Sequence, residues 1–221
     1  MEKNKNRISE IALGIAIIVG LAVNDLLSTQ DGLSGIFNWF IAAVVAAVIH
    51  RFLFWLIVVI VERSDFFLAL FWGKLYVKGF WSYTYYVGEE KKYGAWCIDQ
   101  NLDTITIKGF GLTQDGARRS DVQSMTSLIQ RGNDYEVINM RRDINNDGNL
   151  NDIFYYSKTT LHLHQRTTFM NLFNHPLQMD GNTIIYGGEL SGTVHSRLTF
   201  VKRNDAKNER ELENIIKSMM H

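Results

Sequence analysis

Residues 79–86 read Gly-Phe-Trp-Ser-Tyr-Thr-Tyr-Tyr and mark the point at which the pattern of the chain changes. Aromatic and β-branched residues in such a run favour a β-strand. Most of the long aliphatic runs lie before Val61, whereas the residues after Lys78 have the composition of an ordinary soluble domain. The stretch therefore divides the 221-residue chain into an apolar N-terminal part and a β-rich domain of about 125 residues.

The β-rich part is a series of short strand-like segments. Thr104-Ile105-Thr106-Ile107-Lys108 alternates strictly, which indicates a half-buried strand. Turns that contain Gly, Asn or Asp separate most of the segments. The predicted strands cover residues 79–86, 94–100, 104–108, 122–130, 135–141, 153–156, 159–165, 183–189 and 195–202, with an irregular insertion at 169–179. About eight short antiparallel strands in sequence favour a closed barrel or a sandwich.

Two apolar segments precede the domain, at residues 8–27 and 36–61. A membrane span needs about 20 residues to cross a hydrocarbon core of about 30 Å, and both segments meet that length. Lys and Arg residues precede the first segment and follow the second, whereas the loop at 24–35 has none. The positive-inside rule therefore places both termini in the cytoplasm. A cleaved signal peptide is the alternative for the first segment, but no small-x-small cleavage site precedes Asn24.

His50-Arg51 interrupts the second apolar segment. Either the span ends early and Arg51 reaches the interface, or the two side chains line a contact between helices. Residues 66–77 (FFLALFWGKLYV) suit a helix on the membrane surface. The predicted organisation is a two-helix transmembrane anchor at 1–63, an interfacial linker helix at 64–78, a cytoplasmic β-barrel domain at 79–203 and a C-terminal helix or tail at 204–221.

Composition excludes several classes of function. The formal net charge of +0 gives no bulk attraction to a nucleic acid polymer. The single cysteine, Cys97, cannot form an intrachain disulfide, so no oxidising compartment is required. There is no Walker loop, nucleophile elbow or convincing carboxylate pair. We therefore expect a protein that is not an enzyme and needs no cofactor.

Two sequence patterns imitate metal sites. Asp143-x-Asn145-x-Asp147-Gly148 begins like a calcium loop, but Phe154 stands where a bidentate Glu is expected. An Asx-rich hairpin turn is the better interpretation. His162-x-His164 places two imidazoles on one face of a strand, but the spacing of the remaining histidines supplies no third ligand. No metal is expected.

The combination of features resembles a known family. Its residues are Gly79-x-Trp81-x-Tyr83-x-Tyr85, Trp96, Gln100, Ile105-x-Ile107-x-Gly109, Ser120 and Ser124, after two N-terminal spans. Together they are similar to the two-transmembrane β-barrel effectors of CBASS anti-phage defence (CD-NTase-associated proteins). The resemblance implies a membrane-anchored all-β fold with a small, antiparallel, lipocalin-like barrel in the cytoplasm at the bacterial inner membrane. It also implies that a cyclic dinucleotide from a partner CD-NTase binds the barrel, that the chain forms a homo-oligomer, and that the helices then disrupt the lipid bilayer.

Such a ligand presents phosphates, flat bases and ribose hydroxyls. Arginine forks suit phosphate oxygens, and aromatic faces stack on bases. Arg118 and Arg119 stand in a polar loop at 115–121. Either they hold a phosphate at the barrel mouth with Ser120 and Ser124, or they pair with acidic neighbours in a solvated loop.

The other candidate ligand residues lie on predicted strands. Arg197 needs a partner or a ligand if its side chain points into the barrel. Tyr83, Tyr85 and Trp96 either fill the core or stack on a base. Two alternative functions remain open: a membrane-tethered, lipocalin-like carrier of an apolar small molecule, and a membrane hydrolase that uses the histidines.

Overall fold

The structure is a computed structural model in which the chain forms two compact units, Met1–Trp72 and Gly73–His221. It describes residues 2–29, 35–87, 89–131, 134–144, 150–164, 176–186, 192 and 194–220. The first unit contains the helices α1 (Glu2–Ser28), α2 (Gly35–Arg63) and α3 (Asp65–Trp72). Both α1 and α2 are long and apolar enough to cross a membrane, at the places where the sequence predicts two spans.

Small residues bring α1 and α2 close together. Ile8, Ala12, Ala16 and Gly20 recur at every fourth position, so they share one face of α1, and all four are buried. A Cβ atom on Gly20 would lie 3.0 Å from the Cβ of Ala46 in α2. Small residues at such positions are typical of helix pairs in membranes. The outward faces carry long apolar side chains, which suits contact with lipid; examples are Ile11, Ile15, Ile18, Phe40, Val48 and Phe52.

The histidine of the second predicted span takes part in the contact between the two helices. His50 Nε2 lies 3.4 Å from Ser9 Oγ, and the histidine is half-buried. Arg51 is exposed, and α2 continues through both residues to Arg63. The helix itself therefore does not end at His50-Arg51.

The second unit is a barrel. Its strands in the described residues are β1 (Gly79–Val87), β2 (Glu90–Gln100), β3 (Ile105–Leu112), β4 (Arg118–Ser124), β5 (Ile129–Arg131), β6 (Asp134–Ile144), β7 (Leu150–His164), β8 (Gln178–Tyr186) and β9 (Val194–Lys202). Each pairs antiparallel with its neighbours, and β1 pairs with β9 to close the sheet. Since β4 and β5 both pair with β6, they act as one interrupted strand. The predicted fold class, a closed antiparallel barrel of eight strands after two apolar helices, is confirmed.

The strand boundaries differ from the sequence prediction in several places; β2 begins earlier at Glu90, β3 continues to Leu112, and β8 spans Gln178–Tyr186. The strand predicted at 122–130 begins earlier, at Arg118, and breaks before Ile129. The strands predicted at 153–156 and 159–165 are one strand of 15 residues, because β6 and β8 pair with it on both sides without a shift of register across residues 156–161. Residues 145–149, which include most of the calcium-loop imitation, lie outside the described residues, as does the larger part of the predicted insertion.

Two buried side chains fix the segment that leads into β1. The carboxamide oxygen of Gln100 accepts hydrogen bonds from the backbone N–H groups of Val77 (2.8 Å) and Lys78 (3.1 Å), and its nitrogen donates to the Leu75 carbonyl (3.1 Å). Trp81 Nε1 donates to the Val77 carbonyl at 2.8 Å. The start of β1 is therefore held to the end of β2 by hydrogen bonds that are shielded from water.

The C-terminal helix α4 (Glu209–Ser218) covers part of the outer wall of the barrel. Its Leu212 and Ile216 pack with Phe110, Leu112 and other buried apolar residues of β2 and β3. Asn208 caps the helix by accepting a hydrogen bond from Glu211 N–H at 2.9 Å, as a capping residue does. Because α4 occupies the outer face here, the alternate residues of β1 to β3 face the interior.

Candidate ligand site inside the barrel

Aromatic rings fill the middle of the barrel. The rings of Trp96 and Phe200 have centroids 4.5 Å apart, and Tyr83 lies 5.2 Å from Phe200 and 6.0 Å from Trp96. Trp81, from the same face of β1 as Tyr83, is fully buried. Such tilted ring pairs stabilise a core beyond the area that they bury. Within this cluster, Trp81 lies nearest the end of the barrel at which β1 begins.

A small cavity lies between these rings and the opposite end of the barrel, which we call the far end because β1 ends and β4 begins there. Its volume is about 50 Å³. Strands β1, β2, β4, β6, β7, β8 and β9 contribute the lining residues Tyr83, Tyr85, Trp96, Val122, Asn139, Arg141, Tyr155, Ser157, Thr159, Thr183, Ile185 and Leu198. The cavity is therefore enclosed by the wall of the barrel and carries both apolar and polar groups.

A ladder of polar side chains crosses one side of the cavity. Asn139 Nδ2 donates to Thr159 Oγ1 at 3.3 Å, and Thr159 Oγ1 lies 2.8 Å from Thr183 Oγ1. The three residues come from β6, β7 and β8, and the register pairs Thr159 with Thr183 directly. Asn139 and Thr159 are each only 1% exposed. Apolar side chains at these positions would cost less free energy to bury, because polar groups lose their hydrogen bonds to water.

Arg141 supplies positive charge inside the wall. Its side chain is only 16% exposed, and its guanidinium hydrogen-bonds to Asp143 Oδ1 at 2.8 Å. Burial lowers the pKa of Arg141, but Asp143, Tyr85 and Tyr83 outweigh this effect and shift the pKa upward. Burial also raises the pKa of Tyr83 above its ordinary value, although the charges of Arg141 and Arg119 oppose the shift. The site therefore holds the charged guanidinium of Arg141 beside the neutral phenol of Tyr83.

These groups can bind an anion that carries a flat ring. A guanidinium donates several hydrogen bonds in a planar fork, which matches phosphate or carboxylate oxygens. The rings of Tyr83 and Tyr85 are stacked with centroids 6.1 Å apart, and Tyr85 is only partly buried. Convergent polar groups in a mostly apolar cavity are typical of sites for small molecules.

The structure brings some of the predicted ligand residues together and separates others. Tyr83, Tyr85 and Trp96 line the cavity. The charge of Arg119 acts on Tyr83, which lies in the cavity wall. Arg118 and Arg119 stand at the beginning of β4, and the loop predicted at 115–121 is correspondingly shorter.

Arg118 faces the outer wall. Its guanidinium forms ion pairs with Glu213 (2.9 Å) and Glu209 (2.8 Å) of α4, and its Cζ lies 4.3 Å from the centroid of the Phe110 ring. A bulge between Gly111 and its neighbour Leu112 shifts the register of β3 against β4 at this point. Arg118 therefore fastens α4 to the barrel wall and does not line the cavity.

The remaining predicted residues also lie outside the cavity lining. Ser124 Oγ accepts a hydrogen bond from the backbone of Ile107 at 2.8 Å, so it joins β4 to β3. Ser120 is buried and packs against Gly111. Arg197 is exposed on the outer face of β9, with a backbone φ of 63°, where its N–H donates to Asn182 Oδ1 at 3.3 Å. A bulge between Gly181 and Thr183 shifts the register of β8 against β9 near this residue, and Arg197 does not line the cavity.

Sequence reasoning missed Arg141 and the polar ladder. The signal was present in β6, where Tyr135, Val137, Asn139 and Arg141 alternate on one face. The two apolar members identify that face as the inner one. An asparagine and an arginine on the apolar face of a strand mark a polar site within a core.

The two histidines of β7 form pairs with carboxylates. His162 Nδ1 lies 3.0 Å from Asp134 Oδ1, and His164 Nε2 lies 2.6 Å from Asp180 Oδ2. All four side chains are on the outer surface and about half exposed. Within the residues that the structure describes, no group of three side chains is placed to hold a metal ion.

Comparison with known proteins adds no relative to this picture. No protein-family model matches the chain, and no curated protein matches it.

Proposed function

We propose that the chain is a membrane-anchored receptor whose barrel binds a cyclic dinucleotide, and that it acts as an effector of CBASS anti-phage defence. In this proposal a partner CD-NTase makes the ligand, ligand binding promotes a homo-oligomer, and the two apolar helices then disrupt the bacterial inner membrane. The chain itself catalyses no reaction. The basic residues that flank the helices favour a cytoplasmic position for the barrel.

The observation that carries the proposal is the position of Arg141. An arginine that points into a barrel and is mostly removed from water is costly unless it has partners. Asp143 satisfies part of the guanidinium at 2.8 Å. A phosphate is the ligand group that matches the rest of the fork, and Tyr83 and Tyr85 beside it offer faces for a base.

The size of the cavity bears on how the ligand would act. Sites for small molecules usually measure about 300 Å³ or more, whereas this cavity measures about 50 Å³. A cyclic dinucleotide therefore requires the far end of the barrel to widen. A ligand shifts an equilibrium only by binding one state better than another. A barrel that must change shape to admit its ligand meets that condition for ligand-controlled assembly.

The alternative is a membrane-tethered carrier of an apolar small molecule. Val122, Ile185 and Leu198 in the lining favour it. An apolar ligand, however, would exclude water from Arg141 and Asn139 without offering hydrogen bonds in return, which costs free energy. The anionic ligand is therefore preferred.

Calorimetric titration of the full chain in lipid nanodiscs tests the proposal. The probes are cyclic dinucleotides with adenine, guanine and uracil bases, alone and mixed. We expect one of them to bind at micromolar concentration or tighter and to increase the size of the assembly in sedimentation. If no cyclic dinucleotide binds while an apolar fluorescent probe enters the barrel, the carrier replaces the receptor.

A further inference from the structure

Asn139 carries an unused hydrogen-bond acceptor in the wall of the cavity. Its side chain is 1% exposed, and Oδ1 has no hydrogen-bond partner within the described residues. The other end of the same carboxamide is engaged, because Nδ2 donates to Thr159 Oγ1 at 3.3 Å. Buried polar atoms are nearly always paired in native proteins, so an unpaired one in a ligand cavity calls for an explanation.

The geometry points to Asn139 as the residue that selects the base of the ligand. We infer that its Oδ1 accepts a hydrogen bond from an N–H group on the edge of a nucleobase, while Arg141 holds the phosphate. This inference rests on the proposed function and deepens it. An acceptor facing inward repels a ligand carbonyl or an unprotonated ring nitrogen, since neither supplies a hydrogen.

The spacing along β6 fits the inferred roles of Asn139 at the base and Arg141 at the phosphate. Asn139 and Arg141 are two residues apart on the same face of the strand, which separates them by about 7 Å. Arg141 lies nearer the far end and Asn139 lies deeper. A nucleotide likewise separates its phosphate from the edge of its base by the sugar, so the base enters first and the phosphate remains at the mouth.

The polar ladder explains the orientation of the Asn139 carboxamide, whose Nδ2 bonds to Thr159 while Oδ1 stays unpaired within the described residues. Thr159 lies between Asn139 and Thr183, and its hydroxyl is within hydrogen-bond distance of both. Thr159 and Thr183 satisfy each other at 2.8 Å even when Asn139 is removed. Asn139 is therefore dispensable for the ladder, and its replacement by an apolar residue of similar size removes an unpaired polar atom from the core.

The test compares the full-length wild type with Asn139→Leu in nanodiscs. The probes are cyclic di-AMP and its analogue with purine bases that lack the exocyclic amine. The wild type should bind the amine-bearing probe about tenfold more tightly, as expected for one hydrogen bond to a buried acceptor. Asn139→Leu should bind both probes equally and more weakly, and should unfold at the same temperature as the wild type or higher. Cyclic di-GMP and its hypoxanthine analogue, which lacks only the guanine amine, form a second pair.

Asn182→Leu is the matched control, because it makes the same change on the outer face of β8. It should keep the wild-type preference between the probes. Three results would overturn the inference while leaving the receptor intact: equal binding of both probes by the wild type, a wild-type preference for the analogue, or an Asn139→Leu barrel that is destabilised yet still discriminates. If the wild type binds no cyclic dinucleotide at all, the proposed function falls and the inference falls with it.

Discussion

Replacing Arg141 with methionine removes the guanidinium from the cavity while keeping an unbranched stem of similar length. Two interactions change as a result. Asp143 loses the hydrogen bonds that it accepts at 2.8 Å, and the phosphate of the proposed ligand would lose its charged partner. Because the side chain of Arg141 is only 16% exposed, water and salt screen its interactions weakly.

The size of the effect follows from the kind of hydrogen bond. Bonds to a charged group contribute about 1.5–3 kcal/mol each. The loss of one such bond lowers affinity by roughly 10- to 150-fold, since about 1.4 kcal/mol corresponds to a factor of ten. Asp143 is 23% exposed and can be solvated, so the free energy of unfolding should fall by only about 1 kcal/mol.

The neighbouring residue provides the control. Arg142 lies on the same strand but faces outward, where its Cζ is 5.9 Å from the ring centroid of Phe154. Arg142→Met changes the net charge by the same amount without touching the cavity. Calorimetric titration of both full-length variants with the best-binding cyclic dinucleotide should show a loss for Arg141→Met and wild-type affinity for Arg142→Met.

The reasoning would be refuted if the two variants lost the same affinity. Equal losses would mean that the overall charge of the barrel, and not a fork in the cavity, attracts the ligand. Wild-type affinity in Arg141→Met would likewise remove the phosphate site from β6. A thermal melt of each variant without ligand separates either outcome from a failure to fold.

Further predictions concern the wall of the barrel and α4. Gly109→Ala should lower the free energy of unfolding by about 1–3 kcal/mol in denaturant titrations, because the added Cβ would lie 2.3 Å from the carbonyl oxygen of Ala95; wild-type stability would show that the wall yields easily. Arg118→Met should loosen α4, because it removes the ion pairs with the helix, and should leave ligand affinity unchanged. Alkylation of Cys97 should become faster in this variant; burial raises the pKa of the Cys97 thiol to about 11 in the wild type. A loss of ligand affinity would return Arg118 to the ligand site. Burial raises the pKa of Glu213, but Lys217 and Arg118 outweigh burial and hold that pKa below its ordinary value. The Glu213 carboxylate therefore stabilises α4 fully above about pH 4.3. This stabilisation is lost as the pH falls through the lowered pKa. A fall in the amide-exchange protection factors of α4 on acidification, after division by the intrinsic exchange rate at each pH, tests this sign, and a rise in those protection factors would contradict it.

The fold was predictable from the sequence because its apolar residues form long runs in the helices and alternate with polar residues in the strands. Long apolar runs precede Val61, and segments such as Thr104–Lys108 have one apolar and one polar face. A strand with one apolar face has only one register that buries it. The same alternation puts Trp81, Tyr83 and Tyr85 on one face of the first strand, and it leaves open whether that face fills the core or stacks on a base.

The candidate site was less predictable because β4 lacks such a face. Arg118, Arg119, Ser120 and Asp121 are all polar, so nothing in their order says which of them point inward. The direction of these side chains depends on the bulge between β3 and β4 and on the acidic residues of α4. The sequence pattern does not show the bulge, and α4 lies far from β4 along the chain. Arg141 was not predicted because β6 does alternate clearly, and the inner face of an alternating strand is expected to carry only apolar core residues.

The hydrogen bonds around Gln100 and Trp81 have a mechanical consequence. Tyr83 and Tyr85 form part of the cavity wall, and Trp81 on the same strand holds the carbonyl of Val77 at 2.8 Å. Only Lys78 separates Val77 from the first residue of β1. Under the proposed function, a ligand that displaced β1 would therefore displace Val77 together with Trp81, because a hydrogen bond joins the two residues.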